Sequence, residues 1–217
     1  MVKLNRSDSG PRLYRGEGFA VPSVTTVLQI LEKKYLEAWR HRVGRKEADR
    51  VMITATVLGT QVHSLANKLV WEDRLGATKV PADLELYALA LRSFFTGHVA
   101  EPIKTELSLV SQRERVGGTL DLYCRLQDGS LAVVDYKTSA QLSREHGLQT
   151  ALYALLLREH GYEVNQRLVV RVKKDKPGEF YVREYKDHEG DVKAARACVE
   201  LYWWQNRNKI AKTLEAA

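Results

Sequence analysis

The chain has 217 residues, 44% hydrophobic and 28% charged, and its 34 Lys and Arg exceed its 27 Asp and Glu for a net charge of +7. That balance excludes a disordered chain, and apolar runs no longer than the likes of Ala151–Leu157 exclude a membrane-spanning helix, which needs ~20 such residues. Two cysteines, Cys124 and Cys198, lie far apart and outside any CxxC pair, which excludes a disulfide framework, a structural zinc site and an iron–sulfur cluster held by four cysteines.

Residues 1 to about 20 read as a polar lead-in without the apolar segment of a secretory signal, so the cytoplasm is the expected compartment. Residues 21 to about 100 read as a helical region. Ser23 after Pro22 predicts an N-cap, with Val24, Val27, Leu28, Leu31 and Leu36 at helical spacing as far as Arg42. A second helical segment covers 47–73, interrupted or restarted at Gly59-Thr60, and Pro81 with Asp83 opens a third through His98. From about 101 onward the pattern becomes αβ. Strands are predicted over Thr105–Val110, Gly117–Leu126 and Leu131–Lys137, a helix over Leu142–His160 closed by Gly161, and strands over Leu168–Val172 and Phe180–Tyr185. A last helix runs from Asp191 to Leu214. That order predicts one α/β domain over 1–217, a mixed sheet flanked by helices.

The excess positive charge is clustered. Arg40, His41, Arg42, Arg45, Lys46 and Arg50 form one group, and Arg171, Lys173, Lys174 and Lys176 another. Such groups suit a polyanion, because each phosphate contact releases counterions. A solvated helix face and a basic loop explain the same residues without a partner. The aromatic residues Tyr14, Tyr35, Trp39 and Trp71 are candidates for stacking on bases, with burial in a core as the alternative.

The chemistry concentrates in Gly118-Thr119-Leu120-Asp121 and Val133-Val134-Asp135-Tyr136-Lys137, joined through Gln127-Asp128-Gly129. Register decides whether the carboxylates meet. A two-residue loop sets Asp121 opposite Tyr136, and a three-residue loop with Gly129 in the left-handed position sets Asp121 opposite Asp135 and Thr119 opposite Lys137. The second is favoured, because Gly at the third loop position is what that turn requires. Two carboxylates ~5 Å apart on one face stay ionised together only with a cation between them. Oxygen ligands favour a hard ion, Mg²⁺ or Mn²⁺. The Tyr136 backbone carbonyl is a further ligand candidate, and Glu106 is a candidate extra acid. Lys137 would lie beside the nucleophile, where metal, water and ammonium together hydrolyse a phosphodiester. Taken singly, an Asp-x-Lys on a strand end is more often a salt bridge. Asp135, however, ends a Val-Val strand where a lone charge is costly.

Asp121, the Asp135-x-Lys137 pair, Gln149 with Tyr153, and the upstream Gly59-Thr60-Gln61-Val62-His63 together resemble the PD-(D/E)XK nucleases of the RecB type. Pro22-Ser23-Val24-Thr25-Thr26-Val27-Leu28 is further similar to the mitochondrial genome maintenance exonuclease branch and its phage and bacterial relatives. The resemblance covers about residues 20 to 160. It implies a restriction-endonuclease-like core of prokaryotic or phage origin, with Asp121 and Asp135 as acidic metal ligands and His63 as a ligand from the preceding helix. It also implies Lys137 as the catalytic lysine, and Gln149 and Tyr153 as residues that brace the site or touch the scissile phosphate. Relatives with a cysteine-held iron–sulfur cluster are disfavoured, and the lack of a GxxxxGK[ST] motif leaves no nucleotide cofactor expected. The activity expected is a Mg²⁺- or Mn²⁺-dependent DNA exonuclease of recombination, repair or replication. It would prefer single strands or ends and have a recombination or helicase chain as a candidate partner. A catalytically silent nucleic-acid-binding subunit and an endonuclease of the same fold are the alternatives.

Overall fold

The computed structural model describes residues 3–5, 13–16, 18–31, 34–72, 79–172 and 178–215. Three short strands, β1 (Lys3–Asn5), β2 (Leu13–Gly16) and β3 (Phe19–Pro22), form an antiparallel sheet. This differs from the expected loose lead-in. Leu13, Tyr14, Ala20 and Val21 are buried, so apolar burial rather than any local pattern orders the segment.

The Ser23 hydroxyl accepts from the Thr26 amide at 3.0 Å and caps α1 (Val24–Val27) as predicted. The helix then fails early. A 3₁₀ turn over Leu28–Ile30 ends at Leu31 in extended conformation, and helix restarts as α2 (Lys34–Val43). The β-branched run from Val24 to Val27 has little helical propensity of its own, so packing sets its length. Gly44 turns the chain with φ +85° into α3 (Arg45–Glu72). This helix runs straight through Gly59, where an interruption was expected. A helical Gly costs about 1 kcal/mol relative to Ala, and the buried stripe Val62, Leu65, Ala66, Leu69 outweighs it. A 3₁₀ turn (Ala82–Leu84) leads into α4 (Glu85–His98).

The main sheet has five strands in sequence order, β4 (Val99–Ser111), β5 (Val116–Leu126), β6 (Leu131–Lys137), β7 (Gln166–Val172) and β8 (Phe180–Glu184). All neighbours are antiparallel except β6 and β7, which are joined by α5 (Glu145–Glu159). A parallel pair requires such a crossover. Pro102 sits on edge strand β4 between two register shifts, the place where a missing amide donor costs least. The last helix, α6 (His188–Glu215), packs on α5. Helices cover both faces. Val62, Leu69, Leu91 and Phe94 pack on Leu122, Cys124, Val134 and Val170, while Val24, Val27, Leu152, Leu156 and Val199 pack on Tyr123 and Val133. This is the mixed αβ sheet with an N-terminal helical region that the sequence predicts. No helix among the described residues is long and apolar enough to cross a membrane.

Candidate active site

The β5–β6 hairpin closes as the sequence predicts. The Leu126 amide donates to the Ser130 carbonyl at 2.8 Å, the Gly129 amide to the Leu126 carbonyl at 3.0 Å, and Gly129 has φ +85°. The pairs Arg125↔Leu131 through Leu122↔Val134 carry this register toward the site, and one step further Asp121 faces Asp135. There the backbone ladder stops. The Asp121 carboxylate takes over, its Oδ2 accepting from the Tyr136 amide at 2.8 Å.

Around this pair lies a cleft of about 500 Å³, which gathers Asp121, Asp135, Lys137, His63, Gln149, Tyr153 and Glu106, seven residues singled out from sequence. His63, on α3, places Nδ1 2.9 Å from Asp121 Oδ1. Burial opposes its charge, but the Asp121 carboxylate, by charge and hydrogen bond, and then Asp135 outweigh it and push the imidazole up to about 9. His63 is therefore an imidazolium at neutral pH. Gln149 Nε2 donates to Asp135 Oδ1 at 2.7 Å and to the Tyr153 hydroxyl at 3.2 Å, as their one-turn spacing on α5 allows. Burial, then the charges of Asp135 and Asp121, push the Tyr153 phenol well above its ordinary value, so it keeps its proton. The ring sits against Gly118, where an added Cβ would lie 2.6 Å from Tyr153 Cε1. Tyr136 turns its ring into the α3/α4 core, in edge contact with the His63 ring at 6.1 Å.

Asp135 is 2% exposed and Asp121 9%. Lys137 Nζ stands 2.5 Å from Asp135 Oδ2 and forms a short ion pair with this buried oxygen. Burial pushes the Asp135 carboxyl up, Lys137 opposes this, and Asp121 adds to it. A buried carboxylate facing a second one fits a hard divalent cation, whose charge relieves their repulsion. Among the described residues, no group of three or more His, Cys, Asp and Glu is already disposed to hold one. The fit therefore rests on the two aspartates.

Some features have no local sequence signal. Glu106 has φ +48°, and the pairs Thr105↔Leu122 and Leu107↔Leu120 place it opposite Asp121. A left-handed non-Gly residue in a strand is strained, and such strain gathers at functional sites. Thr25 and Thr119 also line the cleft. The Thr119 hydroxyl is 2.9 Å from the Tyr14 hydroxyl and 2.7 Å from that of Ser108. Tyr14 is thus a buried, hydrogen-bonded residue and unavailable for stacking. Thr56, Thr60 and Ser64 line the opposite wall, and their four-residue spacing was legible.

Arg40, Arg42, Arg45 and Lys46 are exposed around the α2–α3 turn, where Arg40 pairs with Asp49 at 3.6 Å. At 1.5 Å per residue, Arg45 is about 27 Å along α3 from His63, so this group lies outside the cleft. Arg40 and Arg45 line a separate recess of about 600 Å³. Lys173, Lys174 and Lys176, and the side chain of Tyr35, lie outside the described residues. Trp39 is half-buried, and Trp71 is exposed with its indole N–H bonded to Thr105.

The family model of the PD-(D/E)XK nuclease superfamily matches residues 85–215, which include Asp121, Asp135 and Lys137. The chain belongs to this superfamily. Its members share a nuclease fold, so the protein is a nuclease by family and a nucleic acid is its substrate class. No curated protein shows significant sequence similarity to it. Among solved structures, SSO0001 is similar with a TM-score of 0.41 and 17% identity, over 86% of this chain and 79% of that one. A protein of Eubacterium rectale provisionally named an exonuclease is similar with a TM-score of 0.46 and 14% identity, over 73% of this chain and 66% of that one. Likenesses this distant carry no argument about activity, and the assignment rests on the family model.

Proposed function

We propose that the protein is a divalent-metal-dependent deoxyribonuclease, acting as an exonuclease on single strands or free ends within a single domain. The observation that carries this reading is Asp121 facing Asp135 across a hairpin, both buried, with the Lys137 ammonium 2.5 Å from Asp135. Asp121 and Asp135 would hold Mg²⁺ or Mn²⁺, with the Tyr136 carbonyl and, once it has lost its proton, His63 completing the set. When bound, the ion supplies Lewis-acid polarisation of the scissile phosphate. Gln149 fixes the Asp135 rotamer, and Tyr153 offers its proton as a hydrogen-bond donor toward the phosphate. The Lys137 ammonium orients the attacking water and offsets the charge that builds up on the phosphoryl oxygens. Glu106, at the cleft wall, supplies a further acid. The exposed Arg42, Arg45 and Lys46, with Arg40, Lys173 and Lys174, would track the phosphate backbone. The preference for single strands and a place beside a recombination or helicase partner are supported by the RecB-type resemblance.

Digestion of 5′- and 3′-labelled single strands, beside a closed circular single strand, tests the reading. Linear strands should shorten from one end with Mg²⁺ or Mn²⁺ while the circle persists. A linearised circle would make the enzyme an endonuclease, and no cleavage with either ion would leave the catalytically silent subunit. In an inactive variant, neutralising Arg42 and Arg45 should lower the dependence of log affinity on log salt by roughly 1 to 1.5, in a plot of binding to a short strand against salt.

A further inference from the structure

The row of the main sheet that carries Lys137 continues to the far edge. Lys137 pairs with Arg171 in the parallel register, and Arg171 pairs with Tyr181 in the antiparallel one. Paired residues share a face, so Lys137, Arg171 and Tyr181 stand in line on the face that bears Asp135. At ~4.8 Å per strand, the Tyr181 backbone is about 10 Å from that of Lys137.

Tyr181 is 49% exposed on edge strand β8. A single exposed aromatic residue needs no explanation, but this one is held in place. The Arg171 guanidinium carbon lies 5.9 Å from the ring centroid, while its Nη1 donates to the Ala140 carbonyl. Next along the same face, Arg183 Nη1 donates to the Leu142 carbonyl at 3.2 Å, and the Tyr185 hydroxyl donates to the Ser143 carbonyl at 2.6 Å. The loop 138–144 that leaves Lys137 is thereby fastened at three carbonyls to the strip around Tyr181. Its residues 139–141 are exposed. Arg171, grouped from sequence with Lys173, Lys174 and Lys176 as a basic cluster, is committed to this loop and to the Tyr181 ring.

We propose that Tyr181, backed by Arg171, is a base-stacking subsite for the nucleic-acid strand held at the cleft, two or three nucleotides from the scissile phosphate. The inference deepens the nuclease reading and rests on it. A strand stacked at 3.4 Å per nucleotide covers 10 Å in about three steps. Every base has a π-face, so a tyrosine ring takes any sequence, and an arginine on its other face strengthens the platform. Because Arg171 is already fixed by Ala140, little ordering remains to be done on binding.

The test uses the full chain inactivated by Asp135→Asn and a short single strand carrying 2-aminopurine at successive positions. Fluorescence should be quenched most at one position two or three nucleotides from the reacting end. Tyr181→Ala should abolish that quench and weaken binding by roughly 5- to 150-fold, while Tyr181→Phe should keep both. In the active protein, Tyr181→Ala should raise KM by a similar factor and leave kcat within about twofold. Unchanged affinity and quench in Tyr181→Ala, even with lowered thermal stability, would overturn the proposal and make Tyr181 an edge-packing residue. A wild-type protein that shows the Tyr181-dependent quench but cleaves nothing would overturn the nuclease reading alone. Absence of binding by any strand would overturn both.

Discussion

Arg167 and Asp135 both bury a charge on the α5 face of the main sheet, and they are treated differently. Arg167 on β7 is 1% exposed. Its Nε donates to His188 at 3.1 Å, its Nη1 to the Gly147 carbonyl at 2.9 Å, and its Nη2 to the Tyr185 and Asp187 carbonyls and to Asp191 at 2.8 Å. The guanidinium is satisfied on all sides and ties β7 to α5 and α6. Asp135, on the neighbouring strand, is buried as deeply, yet beside its Gln149 and Lys137 partners it faces the like-charged Asp121. A satisfied buried charge holds a fold together, and its loss leaves several partners stranded. A buried carboxylate held against a second one costs stability and is retained where a cation completes the pair.

The difference can be broken first at Asp135. Asp135→Asn should cut cleavage by at least about 10³-fold, measured as initial rate on a labelled strand. The thermal midpoint without metal should stay the same or rise, because burial and Asp121 both disfavour the ionised form. Arg167→Ala should do the reverse, lowering stability by about 3–5 kcal/mol in urea unfolding while leaving Mn²⁺ affinity of the folded fraction intact. A variant of Arg167 that is stable and inactive would erase the distinction. Gly118→Ala sharpens it more finely. A methyl 2.6 Å from Tyr153 Cε1 must displace the ring and, through Gln149, Asp135. The stability cost should be about 1–3 kcal/mol, with a fall in kcat larger than in Tyr153→Phe.

The smallest effect is one of pH. The folded value of His63 is raised to about 9, above the ~6.5 of an unfolded chain. Its stabilisation is therefore complete below about pH 6.5 and is lost as pH rises through about 9. In EDTA, the urea midpoint of the wild type should exceed that of His63→Asn at pH 6 and converge on it by pH 9.5. A gap independent of pH would show that His63 is a packing residue.

The β5–β6 register was legible because one residue decides it. Gly129 suits the left-handed third place of a three-residue loop, and from that register the positions of Asp121, Asp135 and Lys137 follow. Helices α4 and α5 were legible from apolar spacing and the Gly161 stop, and α3 was legible apart from the break expected at Gly59. Strands β1 to β3 were not, since three or four residues are too few to display alternation and their burial comes from distant packing. Arg167 reads in sequence as a polar residue just ahead of the strand expected over Leu168–Val172. Its partners lie on three other segments, as does the bond between Tyr14 and Thr119, 105 residues apart. Nothing in Lys104-Thr105-Glu106-Leu107 announces the left-handed turn of Glu106. The break after Ile30 was missed because the apolar spacing continues through it.

The central claim is that Asp121 and Asp135 face each other to hold a cation, and calorimetric titration with Mn²⁺ tests it most directly. Run at pH 7 in buffers of different ionisation enthalpy, the wild type should bind the ion and release a proton from His63, while Asp135→Asn should bind none. Equal binding by the wild type and Asp135→Asn, or no binding by either, would contradict the account.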